Sequence, residues 1–277
     1  MIKLAMEAPI DLLDNLPHVT DFDWVLTHLC EESEEYLRHY QKMVTETHRE
    51  VILDNSVNEL GEPLSLDRMD EVVAKLNPTY IVPPDYLNNL EATLGILDDA
   101  IKLWGAERIM PVIQGTSLEE VVECGDILKN KYGFKVVSVP YDVMLAHRSK
   151  LPDGDSNKAT LEELSEGRLL AIKALARANV IFSRVHLLGM NTLSEFPQYT
   201  KQETWRGTNT WLAYTVKVTV DTGAPITNAV WNRKFGIDSL VQKGVYFNYY
   251  DYNQFLEPDI KETWYWNICI LKGFLNG

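Results

Sequence analysis

VILDNSVNELGEPLSLDRMDEVVAKLNPTYIVPPD, residues 51–85, reads as a strand, a loop, a helix and a second strand. Val51–Asp54 is a short apolar run that stops on a carboxylate. Ser65 stands where a helix cap belongs, with Asp67 and Asp70 in the early turns of a helical pattern that runs to Leu76. Tyr80–Val82 is the next short run, and it passes into Pro83-Pro84-Asp85. Apolar runs this short, rich in Val and Ile, suit strands buried on both faces. A helix between two such strands is the crossover that a parallel sheet requires.

The same alternation extends in both directions. Upstream, Ile2–Met6 and Trp24–Leu29 read as strands; downstream, Ile109–Ile113, Lys135–Val139, Arg184–Leu188 and Val216–Val220 do. Helical patterns cover Glu31–Val44, Asn88–Trp104, Ser117–Tyr132 and Thr160–Ala178, the last opening on a Thr160/Glu163 capping box. The connection around Pro9–Pro17 is short for a helix. Eight strands alternating with helices predict an α/β fold, a (β/α)8 TIM barrel, as one domain over residues 1–277. The length agrees, since such a barrel takes about 250 residues. No GxGxxG or Walker A loop is present, which weakens a nucleotide-binding open sheet. The polar loop Arg148–Lys158 reads as a flap, and the aromatic extension from about Phe235 as a C-terminal layer or an oligomer contact, with a homodimer as one outcome.

Composition narrows the function classes. Forty acidic and 26 basic residues give a net charge of −14, unfavourable for nonspecific adhesion to nucleic acid or to an anionic membrane. Cys30, Cys124 and Cys269 are too few and too widely spaced for a disulfide framework or a CxxC metal site. The expected compartment is a reducing cytoplasm, without a signal peptide or a membrane span.

A barrel places its chemistry at the C-terminal ends of the strands. There the sequence offers Asp54, Asp85, Gln114-Gly115, Tyr141-Asp142, Leu188-Gly189-Met190 and Asp221. Each has an ordinary reading. An Asp after a strand caps helices and turns, Gln114-Gly115 makes a turn, and His186 inside a strand is a satisfied core histidine. Together, four carboxylates at four strand ends point to one mouth. They suggest divalent-metal binding, which the lack of His disfavours, or glycoside hydrolysis, or glycosyl transfer at a nucleoside.

The ordered set VILDNSVNELG, PPDYLNN, PVIQG, VVSVPYD, HLLGM and VDTGAP, from about Val51 to Pro225, resembles the tRNA-guanine transglycosylase superfamily. It is most similar to the short phage-encoded DpdA-like branch, the DNA-guanine transglycosylases that place 7-deazaguanines in DNA. The resemblance implies that Asp221 is the nucleophile on C1′ of the guanosine sugar and that Asp54 is the general acid/base. It implies substrate-binding roles for Asp85 on the guanine edge, for Gln114 and Gly115 on the base, and for Tyr141, Leu188, Gly189 and Met190 around the base pocket. Asn55 stands where the family's D-S-G-G-F segment has Ser, and the glycines of that segment are missing. Ser138–Tyr141 replaces a glycine-rich strand end.

The tRNA enzymes carry a zinc site of clustered cysteines and a histidine after the last strand. Here Cys269 is the only cysteine after Asp221, and no His follows His186, so no cofactor and no zinc are expected. The implied partners are DNA, or tRNA as the alternative, and a free 7-deazaguanine base of the preQ0 type. Arg148, Lys150, Lys158, Arg233 and Lys234 are the expected phosphate contacts. A non-catalytic partner subunit and an unrelated barrel glycosidase are the remaining readings.

Overall fold

Val51, Ile52 and Leu53 are completely buried, as the run of apolar residues demands, and they form strand β3 (Val51–Asp54) at the centre of a three-stranded sheet. The computed structural model describes residues 2–143, 161–190, 195, 198–199, 216–231, 233–235 and 256–276. In the first sheet β2 (Asp23–Leu26) lies beside β3, with Asp23 opposite Val51 and Leu26 opposite Asp54. On the other side β4 (Tyr80–Ile81) pairs through Ile52 and Tyr80. The second sheet has the order β1 (Lys3–Leu4), β7 (Lys217–Val220), β6 (Arg184–Leu188), β5 (Val136–Pro140). Every strand pair is parallel. The fold is therefore α/β with parallel sheets, as the alternation of short strands and helices implies.

The expected strand Ile109–Ile113 is replaced by two isolated parallel bridges, Ile81 to Ile109 and Val112 to Ser138. Pro111 accounts for the break, because it has no N–H to give to a ladder. Its carbonyl still accepts from Ser138 N–H at 2.8 Å, while Met110 N–H reaches back to Ile81 at 2.9 Å. The segment thus links the two sheets on one side. On the other, Asp21 N–H donates to the Leu4 carbonyl at 2.7 Å and Leu4 N–H to the Asp21 carboxylate at 2.9 Å, joining β1 to the approach to β2.

Other boundaries also shift. Residues 27–29, expected to continue β2, open a helix at Thr27–Glu32. The helix expected from Glu31 begins anew at Glu34, with Ser33 Oγ accepting from Tyr36 N–H. Asn88 takes a left-handed φ of 56° and so stays outside the following helix, whose cap is Asn89. That helical stretch runs as two pieces, Leu90–Gly95 and Leu97–Trp104. Ser65 and Ser117 cap helices Leu66–Leu76 and Leu118–Asp126, and the latter continues as a π-helical turn, Ile127–Lys131. Helix Leu161–Arg177 fills the span expected for it, while Thr160 and the loop 148–158 lie outside the described residues.

Of the aromatic extension, residues 236–255 lie outside the described residues, and helix Pro258–Asn276 lies inside them. Trp264 is fully buried, Lys261 pairs with Asp11 at 2.7 Å, and Tyr265 donates to Asn15 at 2.7 Å. These contacts fasten the last helix to the 3-10 turn Ile10–Asn15. Among the described residues no helix is long and apolar enough to cross a membrane.

Candidate active site

The strands end on one pocket. It is lined by Asp54 from the end of β3, Asp85 after β4, Tyr141 and Asp142 after β5, Leu188 and Gly189 from β6, and Asp221 after β7. Glu7, Trp24, Val57, Asn58, Glu59, Leu87 and Pro140 complete the lining. Six of these residues are Asp or Glu, and none is Lys or Arg. A pocket of this kind repels phosphate and favours groups that carry positive charge or present N–H donors.

Asp54 is fixed by the turn that follows it. Its Oδ2 accepts from Ser56 N–H at 2.8 Å, Asn55 Oδ1 accepts from Val57 N–H at 2.9 Å, and Thr27 Oγ1 donates to the Asp54 carbonyl. Ser56 adopts a left-handed φ of 61°. Asp54 keeps part of its surface open to the pocket. Its carboxyl is held well above the ordinary value, first by burial and then by the charge of Glu59, with smaller pushes from Asp221 and Asp85. Burial raises Glu59 as well, so the two carboxyls compete for protons.

Asp85 is buried behind a pair of amides. Asn55 Nδ2 donates to its Oδ1 at 2.7 Å, and Gln114 Nε2 donates to its Oδ2 at 2.6 Å. Burial raises its carboxyl, and these two donors oppose the rise. Gln114 is fully buried and does not line the pocket; its Oε1 accepts from Asn88 N–H at 2.9 Å. It therefore faces Asp85 and orients it. Gly115 also lies off the pocket, and a Cβ there would sit 2.8 Å from Val121 N, so the glycine lets the chain turn tightly into its helix.

Asp221 is 2% exposed and held from two directions. Gly189 N–H reaches Oδ1 at 3.0 Å and Oδ2 at 3.3 Å, and His186 Nε2 lies 3.0 Å from Oδ1. Gly189 has φ of 62°, and a Cβ there would meet the Tyr141 ring at 2.9 Å, so only glycine brings this N–H to the carboxylate. Tyr141 Oη donates to Asn58 Oδ1 at 3.1 Å across the mouth. Met190 is buried behind the pocket, its N–H on the Asp221 carbonyl and its sulfur beside Arg168. Arg168 in turn makes a two-pronged pair with Glu195, at 2.7 and 2.8 Å.

Residue types at strand ends pick out Asp54, Asp85, Tyr141, Asp142, Leu188, Gly189 and Asp221, and all seven line the pocket. Glu7, Trp24, Asn58 and Glu59 gave no such signal, because they reach the pocket from loop, helix or mid-strand positions. His186 has the satisfied ring expected of a core histidine, and one of its partners is Asp221. Arg233 and Lys234 do not line the pocket; Lys234 faces Glu262 at 3.7 Å. Arg148, Lys150 and Lys158 lie outside the described residues. Among the described residues no group of three or more His, Cys, Asp or Glu is arranged to hold a metal ion.

No protein-family model matches the chain, and neither does any curated protein. Among solved structures, an N-(5'-phosphoribosyl)anthranilate isomerase from Pyrococcus furiosus is similar at 10% identity and a TM-score of 0.41, over 99% of this chain and 100% of that one.

Proposed function

We propose that the chain is a transglycosylase that exchanges guanine in DNA for a 7-deazaguanine, working at the mouth of a closed (β/α)8 barrel. Asp221 is the nucleophile and Asp54 the general acid/base. The observation that supports this most is two carboxyls in one pocket with different neighbours. Burial and the neighbouring Glu59 hold the Asp54 carboxyl well above its ordinary value, while Asp221 accepts from Gly189 N–H and lies 3.0 Å from His186 Nε2. A carboxyl that holds its proton tightly can serve as the acid beside a hydrogen-bonded nucleophile.

In the first half-reaction an Asp221 oxygen attacks C1′, the C1′–N9 bond breaks, and its electron pair leaves with guanine as Asp54 gives up its proton. In the second, Asp54 takes the proton from N9 of the incoming base. That nitrogen then attacks C1′ and the ester bond to Asp221 breaks. Atoms and charge are conserved over the cycle, and no zinc is required by it. The anionic lining supports both steps, since positive charge accumulates at C1′. Asp85 suits the N1–H and N2–H donors of the guanine edge, with Asn55 and Gln114 holding it in place. Phosphates remain outside at the rim, so the target base must leave its stack to enter. The bridges that join β4 to residue 109 and residue 112 to β5 support the barrel.

The test is uptake of labelled guanine and 7-deazaguanine into DNA and, separately, into tRNA. Incorporation into DNA is expected. Asp221→Asn should abolish both incorporation and any covalent adduct, and Asp54→Asn should slow incorporation by about 10²–10⁴. Uptake into tRNA alone would move the substrate to RNA, and uptake into neither polymer would overturn the assignment.

A further inference from the structure

The groups behind Asp221 form a line through the sheet. Arg184, at the start of β6, is paired with Glu50 at 2.7 Å and packs against the rings of Phe22 and Tyr80. Its Nε lies 3.1 Å from Thr219 Oγ1 on β7. Thr219 Oγ1 lies 2.9 Å from His186 Nδ1, and His186 Nε2 lies 3.0 Å from Asp221 Oδ1. The imidazole is completely buried, stacked on Trp24 with centroids 4.5 Å apart and met edge-on by Phe22.

The chemistry of the two ends fixes the outer bonds, and a neutral ring fixes the middle one. An arginine Nε can only donate, so Thr219 Oγ1 accepts from it and has its own proton free for Nδ1. A carboxylate can only accept, so Nε2 must carry the ring proton. The charged groups facing the ring are Asp221 on β7, Arg184 on β6 and Arg168 on helix Leu161–Arg177. Burial and the two arginines disfavour an imidazolium, and Asp221 alone opposes them.

On the reading of Asp221 as nucleophile, we infer that Arg184, Thr219 and His186 form a one-way hydrogen-bond relay. It locks His186 as the neutral Nε2–H tautomer and presents Oδ2 of Asp221 as the attacking oxygen. His186 Nε2–H and Gly189 N–H both sit 3.0 Å from Oδ1, whereas among the described residues Oδ2 has the 3.3 Å approach of Gly189 alone. The less engaged oxygen keeps its lone pairs for the sugar. His186 is thus a positioning residue: it acts through Asp221.

Nitrogen-15 NMR of the histidine rings tests the relay without reference to activity. Loss of a signal in His186→Gln assigns the ring. The expected spectrum at neutral pH has a protonated Nε2 and a bare Nδ1, and Thr219→Val should broaden or mix the tautomers. A protonated Nδ1, or an imidazolium, would overturn the relay whatever the enzyme does.

Kinetics test the positioning. His186→Leu should lower kcat by about a hundredfold, the cost of a misplaced reacting group, with KM for the free base unchanged. His186→Gln carries an amide N–H where Nε2 stood and should recover most of the loss. Equal kcat in His186→Leu and the parent would overturn the positioning role. Absence of base exchange in every form, with the expected tautomer present, would count against the nucleophile assignment and leave the hydrogen-bond order intact.

Discussion

Asp142 shows how one buried carboxyl shapes stability. It is 4% exposed, and burial, followed by the charge of Asp85, pushes its carboxyl up to about 6. An aspartate in an unfolded chain titrates near 4, so the folded chain holds this proton more tightly. Its contribution to stability is therefore present in full below about pH 4 and is lost as the pH rises to about 6. The full difference is roughly 3 kcal/mol. Asp142→Asn removes the ionisation and should match the parent in urea unfolding at pH 4, then exceed its stability at pH 7 by up to that amount. The same stability difference at both pH values would show that Asp142 does not carry this pH dependence. At this scale the sequence was most informative where a carboxylate follows a strand directly, as Asp54 and Asp221 do. It was silent on Glu59, because the turn that brings it to Asp54 depends on the left-handed backbone of Ser56. It put Gln114 on the base, whereas Gln114 lies off the pocket and faces Asp85, 29 residues away in sequence.

Elements were legible where their signals are local. Ser65 and Ser117 cap the helices expected of them because a cap needs only a side-chain oxygen and the N–H three residues on. The cap at Ser117 carries more than its own helix. Its Oγ accepts from Glu120 N–H at 3.1 Å, and Glu120 returns a carboxylate oxygen to Thr116 N–H at 2.7 Å and to its hydroxyl at 2.8 Å. That reciprocal pair fixes the turn leaving Gln114 and Gly115. Ser117→Ala should cost about 1 kcal/mol in denaturant unfolding, and the loosened turn should raise KM for the base through Gln114 and Asp85. An unchanged midpoint would mean that solvent replaces the cap. Elements were misread where apolar character was taken alone. Apolar character alone made Ile109–Ile113 a strand, but a ladder needs N–H groups and Pro111 has none. Apolar character also carried β2 on to Leu29, although Thr27 turns out of the strand to donate to the Asp54 carbonyl.

Over the whole molecule, charge sets how a polyanion could be held. The net charge is −14, and six of the acidic side chains line the pocket, with no lysine or arginine among its described lining residues. Phosphates of a bound strand must then rely on few cations outside the pocket. Lys234 is partly committed, facing Glu262 at 3.7 Å and the ring of Trp266 at 5.9 Å. Arg148, Lys150 and Lys158, grouped within eleven residues of sequence, are the better candidates. Affinity for single strands falls with salt at a slope of roughly −0.7 per phosphate neutralised. With about three contacts, the slope of log K against log salt should be near −2, shallow for a nucleic-acid enzyme. Fluorescence anisotropy with a single-stranded guanine-containing oligonucleotide measures it. The triple replacement Arg148→Ala, Lys150→Ala and Lys158→Ala should flatten the slope almost to zero and weaken binding most at low salt. On the proposed reading the free 7-deazaguanine base meets carboxyls and no cations, so its binding should stay the same. Lys234→Ala should change the slope little. If the triple variant keeps the parental slope and Lys234→Ala loses it, the strand lies across the C-terminal helix instead.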